Sequence, residues 1–201
     1  MKSKKFTTHS AFLFWYAVRL GGLAGIPEDE LCESVGVNPA LMRDDRGEVP
    51  YDVFKKLLAE VARRLGNESF WLAETKPQVL SLENPTWYYY YNAPNLREAA
   101  RRHERFYIIY SKTVYPTYPV IGDEVSLRST LRAADVELSS HHVDLMLASW
   151  WWTAMHFCGP ALKLKCVRLT SADENRKAAH KQFLCHRSDL ERNNVPKLPR
   201  P

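Results

Sequence analysis

Two adjoining stretches decide the fold: NLREAARRHERFYIIY at 95–110 and YPTYPVIGDEVSLRSTL at 115–131. Asn95 is an N-cap residue type and Glu98 stands three positions on, so the pair reads as a capping box. It opens a long helix through Ala99, Ala100, His103, Phe106, Tyr107 and Tyr110. The next residues change period. Tyr115 to Ile121 is rich in β-formers and Gly122-Asp123 makes a turn. Beyond it Val125, Leu127, Ser129 and Leu131 alternate with Ser126, Arg128, Thr130 and Arg132. Period-2 alternation predicts two strands with one buried and one wet face.

Working outward, the first third reads as helices. Phe12 to Leu20 is apolar and is expected to end at Gly21-Gly22. Pro27 suits a first helical turn ahead of Glu28 to Val35, and Asn38-Pro39 opens a short turn with Leu41 and Met42. From Tyr51, residues Val53, Phe54, Leu57, Leu58, Val61, Ala62 and Leu65 recur at helical spacing until Gly66. On the other side of the hairpin, about Ser140 to Cys158 is a helix apolar nearly all round, closing at Gly159-Pro160. Leu162 to Leu169 reads as a further strand and Ala172 to Leu184 as a short helix. The fold class is therefore α+β, with N-terminal helices followed by a ββαβα antiparallel-sheet unit. No internal repeat or Gly/Ser linker divides it.

The 201 residues are 45% hydrophobic, enough to bury one core, so 1–201 is taken as one domain with free ends at 1–10 and 186–201. The formal charge is +5, but much of the excess sits at the ends, in Lys2, Lys4, Lys5, Arg187, Arg192, Lys197 and Arg200. A nucleic-acid binder gathers positive charge on one face. Four cysteines without CxxC spacing fit a reducing, cytoplasmic setting rather than a disulfide framework. Lys2, Lys4 and Lys5 before an apolar run imitate a secretion signal, but Arg19 interrupts it. No uncharged run approaches the length of a membrane span.

Several short segments share an order and spacing. These are Gly25-Ile26-Pro27-Glu28-Asp29-Glu30-Leu31, Val35-Gly36-Val37-Asn38-Pro39-Ala40-Leu41, and Val49-Pro50 ahead of the Tyr51 helix. Later come Asn92-Ala93-Pro94-Asn95-Leu96-Arg97-Glu98-Ala99, Val167-Arg168-Leu169-Thr170 and Phe183-Leu184-Cys185. Together, over about residues 11–185, they resemble the N-terminal effector-binding, arabinose-binding-type domain of AraC-family transcriptional regulators. The resemblance implies a sensor of a small molecule that dimerises and passes its signal to a C-terminal pair of helix-turn-helix units. Nothing after Cys185 reads as such a unit, and Val195-Pro196-Lys197-Leu198 stands where the family has an apolar closing strand. DNA is accordingly expected to be reached only through a C-terminal domain absent from this sequence.

Eight of the ten tyrosines lie between Tyr88 and Tyr118, beginning with the run Trp87 to Tyr91. Tyrosine joins a large apolar ring to a hydroxyl that needs a partner, which suits a pocket for an apolar effector, and rings also cage cations. Each of these side chains has core or interface packing as its plain alternative. Successive helical residues diverge by about 100°, so Tyr88 and Tyr91 are the pair that shares a face. Tyr107 and Tyr110 have the same spacing and are expected opposite them. His142 is the histidine expected to touch the effector, and Trp150 and Trp151 are the candidate dimer contacts.

His142 and His156 are separated by about four helical turns and cannot share a metal ion. His180, Cys185 and His186 lack a fourth ligand, so no metal and no cofactor is assigned. No nucleophile–base pair, phosphate loop or apolar carboxylate pair stands out, and the chain is not expected to be an enzyme. Residues 28–43 have the cadence of a helix-turn-helix, which keeps a direct DNA-binding protein as the rival reading. Its second helix would be short and carries Leu41 and Met42 where groove readers carry polar side chains.

Overall fold

The computed structural model describes residues 8–39, 47–73, 90–122, 124–132, 136–159, 162–169 and 174–185. Strand β1 (Thr8–Ser10) leads into helix α1 (Ala11–Leu23), whose first turn is capped by Ser10 Oγ accepting from Leu13 N–H at 3.3 Å. Contrary to expectation, α1 runs through Gly21 and Gly22 instead of stopping at them. A Cβ on Gly21 would meet Leu31 Cδ1 at 2.6 Å and Val61 Cγ2 at 3.1 Å. The glycine is there to let helices meet, not to end one.

Helix α2 (Glu28–Ser34) follows Pro27, and β2 (Glu48–Pro50) pairs antiparallel with β1, placing His9 opposite Val49. Helix α3 (Tyr51–Leu65) buries Phe54, Leu57, Leu58, Val61 and Ala62, at the spacing read from the sequence. Gly66 ends it at φ 60°, the left-handed geometry that glycine adopts without strain. Glu60 on its outer side is held by Arg63 and Arg64, each at 2.7 Å. Helix α4 (Phe70–Ala73) brings in Trp71, whose indole N–H donates to the Leu58 carbonyl at 2.9 Å. Phe14, Leu31, Phe54, Leu57 and Trp71 from these four helices form the main apolar core.

In the second half, α5 (Leu96–Phe106) has the expected cap: Asn95 Oδ1 accepts from Glu98 N–H at 2.9 Å. It ends earlier than expected, because Tyr107–Ile109 tighten into a 3-10 turn. Strand β3 (Val114–Thr117) pairs antiparallel with β6 (Arg128–Leu131), Val114 opposite Leu131. Between them β4 (Val120–Ile121) and β5 (Glu124–Val125) form a small hairpin at Gly122, φ 63°. Helix α6 (Ser140–Cys158), capped by Ser139 Oγ accepting from His142 N–H at 3.2 Å, ends at Gly159. Helix α7 (Glu174–Cys185) packs on α6 and α4 through Phe183, Ala148, Trp152 and Leu72.

The architecture is thus mixed helix and antiparallel sheet. The ββαβα order is not formed as such, since 162–169 make no strand. The alternating segment also buries no clean face: Val125 and Leu127 are each 36% exposed. Alternation encodes a strand, but burial needs a covering layer, and that layer reaches Leu131, beside Val114 and Met146, while 124–130 stay exposed. Among the described residues, no helix is long and apolar enough to cross a membrane.

Candidate functional site

The inner face of α5 presents Ala99, Ala100, His103 and, at the start of the 3-10 turn, Tyr107, all buried. The spacing is that of one helical face, and the two alanines leave room for neighbouring helices. His103 is only 2% exposed and lies among aromatic rings. Ring centroids of Tyr107, Tyr118 and Tyr90 are 5.1, 5.7 and 6.2 Å away. Its Nδ1 shares a short hydrogen bond with the Tyr118 hydroxyl. Tyr90 stacks on Phe157 of α6 at 5.1 Å and 15°. Glu104, one residue on, accepts from the Tyr115 hydroxyl at 3.2 Å and the Tyr118 backbone N–H at 3.1 Å.

The imidazole and phenols of the cluster are uncharged at neutral pH, with the Glu104 carboxylate hydrogen-bonded beside them. Burial pulls the His103 imidazole down to about 4, and burial likewise raises the phenols of Tyr90, Tyr107 and Tyr118 above their ordinary range. At neutral pH the site therefore offers ring faces, phenol hydroxyls and an uncharged imidazole. Such groups receive apolar or cationic molecules and give an anion no countercharge.

The sequence-predicted residues are divided among three places. Tyr107 is in the His103 cluster, and Tyr110 adjoins it with ring centroids 6.1 Å apart. The 3-10 turn explains this, because residues three apart eclipse there. Tyr91 is 43% exposed and meets Phe157 edge-on at 5.1 Å, so it sits at the rim. Tyr88 lies outside the described residues, so the predicted Tyr88/Tyr91 pair is not described. His142 is elsewhere: wholly buried, its Nδ1 is 3.2 Å from the Tyr51 hydroxyl, with the rings of His9 and Phe54 at 5.1 and 5.3 Å. Among the described residues, neither ring nitrogen of His9 in that second cluster makes a well-formed hydrogen bond. Burial holds its imidazole down to about 3; the nearby Tyr110 carbonyl, which already accepts from Ser10 N–H at 2.9 Å, offsets this only in part.

Trp150 packs beside Tyr107, Tyr110, Val114 and Met146, and Trp151 beside Leu72, Ala148 and Phe183; both remain half-buried. A third polar cluster joins α6 to α7. Asp144, 2% exposed, accepts from Arg176 and lies 2.7 Å from His180 Nε2, while His141 faces Glu68 at 3.5 Å. Among the described residues no three His, Cys, Asp or Glu side chains are grouped to hold a metal ion.

His103, Tyr90 and Tyr118 were not singled out from the sequence. The available signal was a histidine at position i+4 from Ala99 on an otherwise apolar helix face, within the tyrosine-rich stretch. An open surface hollow of about 470 Å³ lies between α1 and α2, bordered by Arg19, Leu23, Ile26, Pro27 and Glu28. It lacks converging buried polar groups, so the His103 cluster is the better candidate for recognition chemistry. A family model for the N-terminal arabinose-binding domain of AraC transcription regulators matches residues 25–188, most of the chain. No curated protein matches.

Proposed function

The chain belongs to the family of N-terminal arabinose-binding domains of AraC transcription regulators, and from that premise we propose that it senses a small apolar or cationic effector at the aromatic cluster around His103. The family is one of regulatory ligand-binding domains rather than enzymes. One observation carries the choice of site: a neutral imidazole, 2% exposed, surrounded by three tyrosines and hydrogen-bonded to one of them. Rings supply apolar area and cation affinity, while hydroxyls orient the guest. Tyr91 at the rim and Tyr107 and Tyr110 within are the contacts that line it, together with Tyr90 and Tyr118.

The cluster is closed on its own rings, so an effector must part them. Because Tyr90 rests on Phe157 of α6, parting them moves the helix that also carries Trp150 and Trp151. That is the route by which occupancy would alter dimer geometry, and through it DNA binding by a C-terminal domain.

A thermal-shift screen with aromatic amines, quaternary ammonium compounds, neutral aromatics, sugars and carboxylic acids tests the reading. Stabilisation by amines or neutral aromatics, abolished in Tyr107→Ala and Tyr118→Phe but retained in His142→Gln, is the expected outcome. Stabilisation by carboxylic acids alone, or none by any class, would overturn it. The rival DNA-binding reading meets an obstacle in α2, whose exposed residues include Glu28, Asp29, Glu30 and Glu33, charges that repel phosphate. Salt-sensitive binding of duplex DNA by this chain alone would restore that rival.

A further inference from the structure

With the His103 cluster taken as the effector site, the groups around it decide the charge of the guest. Glu104 follows His103 on α5, about 100° round the helix, so it stands at the flank of the buried face. It is half-buried and both of its carboxylate oxygens are engaged. One accepts from the Tyr115 hydroxyl and the other from the Tyr118 backbone N–H. Those bonds fix a negative charge beside the tyrosine rings without cancelling it, and no Lys or Arg pairs with Glu104 among the described residues.

The arginines of α5 are directed elsewhere. Arg102, on the opposite flank, is held by Glu98 at 3.0 Å and donates to the Asn92 carbonyl at 2.7 Å. Arg101 and Arg105 are exposed on the outer side of the helix, each about 160° round from His103. Burial keeps the His103 imidazole uncharged at neutral pH, so it adds no positive charge either. From the sheet, Arg132 lies over the Tyr115 ring, 4.7 Å from its centroid. It is exposed to solvent, which screens its charge from the interior. One ring of this group thus already holds a guanidinium by its face.

We propose that the guest of the cluster is an organic cation, a small molecule with an ammonium or guanidinium head, and that Glu104 is the residue that selects its charge. The faces of Tyr90, Tyr107 and Tyr118 present the negative side of their quadrupoles, and the Glu104 carboxylate adds a field of the same sign. The Tyr115 phenol, donating to that carboxylate, is polarised in the same direction, in accord with Arg132 resting on its ring. In a partly desolvated setting such a field acts more strongly than in water. A neutral guest gains only the apolar area it buries, and an anion meets repulsion.

Calorimetric titration of the full 201-residue chain at constant ionic strength provides the test, with pairs of compounds matched in shape. The pairs are choline against dimethylbutanol, and benzylammonium against benzyl alcohol. Each cation should bind on the order of tenfold tighter than its uncharged counterpart. Glu104→Gln keeps a carbonyl oxygen for the Tyr118 N–H while removing the charge. It should erase most of the cation's advantage and leave the affinity for the neutral members. Glu98→Gln removes a carboxylate of the same helix that Arg102 already holds, and should leave the advantage intact. Unchanged thermal midpoints of the free variants verify that they fold, and the wild-type comparison stands without them. Equal affinities within both pairs, an advantage that survives Glu104→Gln, or an equal loss in Glu98→Gln would each overturn the assignment of charge and leave the site standing. If no member of either pair binds, the site falls with it.

Discussion

The layer formed by α1, α2, α3 and α4 and the assembly formed by α5, α6 and α7 are both helical, yet they are held together by different chemistry. In the first, Phe14, Leu31, Phe54, Leu57 and Leu58 are wholly buried carbon, and the buried indole N–H of Trp71 has its carbonyl. In the second, His103 and Asp144 occupy interior positions, Arg176 and His180 are drawn in against Asp144, and His142 lies at the junction of the two, against Tyr51 and Phe54 of α3. Apolar packing tolerates volume-conserving exchange, whereas a buried polar group costs free energy unless each partner is kept. The second assembly therefore depends on keeping those partners, and the proposed effector site lies within it.

The comparison breaks most readily by truncation on each side. Phe54→Ala should lower the free energy of unfolding by about 3–5 kcal/mol, from lost transfer energy plus the cavity. Asp144→Ala should cost about as much for another reason, since it strands Arg176 and removes the acceptor of His180; Asp144→Leu combined with Arg176→Met should recover much of the loss. Urea unfolding measures both. If the double replacement is no better than the single one, α7 is not held by charge and the contrast fails.

Acidification should sharpen the contrast, because buried neutral imidazoles are concentrated around α5, α6 and their neighbours. His103 is held down to about 4 and His9 to about 3, against about 6.5 for an unfolded histidine. Both folded values are depressed, so the unfolded chain takes up protons first. Stability is full above about pH 6.5 and declines as pH falls toward 4 and then 3. At about 1.4 kcal/mol per pH unit, His103 alone accounts for a loss on the order of 3 kcal/mol. Urea midpoints between pH 7 and 5, where most carboxylates stay ionised, should fall in the wild type and fall less in His103→Gln. An equal slope in both would place the titrating group elsewhere.

The smallest effect tests the first layer. Gly21→Ala puts a Cβ 2.6 Å from Leu31 Cδ1, and should cost about 1–3 kcal/mol despite alanine's better helix propensity. A stabilised Gly21→Ala variant would show that Leu31 can rotate away, and that the layer is less tightly fitted than its burial implies.

Much of the fold was legible because local signals are strong where they agree. The Asn95–Glu98 cap, the Gly66 and Gly159 stops and the apolar spacing of α3 all appear where the sequence places them. The misreadings share one cause. Gly21-Gly22 looked like a terminator, and only the approach of Leu31 and Val61 shows it to be a packing contact. The alternation at 125–131 gave strands, but whether a face is covered depends on elements far away in the chain. The candidate site was half legible for a similar reason: spacing placed Tyr107 and Tyr110 side by side, while His103 met Tyr118 and Tyr90 only through tertiary folding.

By itself the sequence determined the fold class, the ends of most helices, the aromatic character of the region after residue 88 and the family, since each rests on residue types at short, fixed separations. Tertiary structure alone decided which rings enclose a histidine, that His142 belongs to the His9–Tyr51–Phe54 group, and that Asp144 is answered by Arg176 and His180. The physical reason is distance along the chain. Hydrogen bonds and ring contacts between residues 11 to 133 positions apart leave no periodic trace, and only the folded chain specifies them.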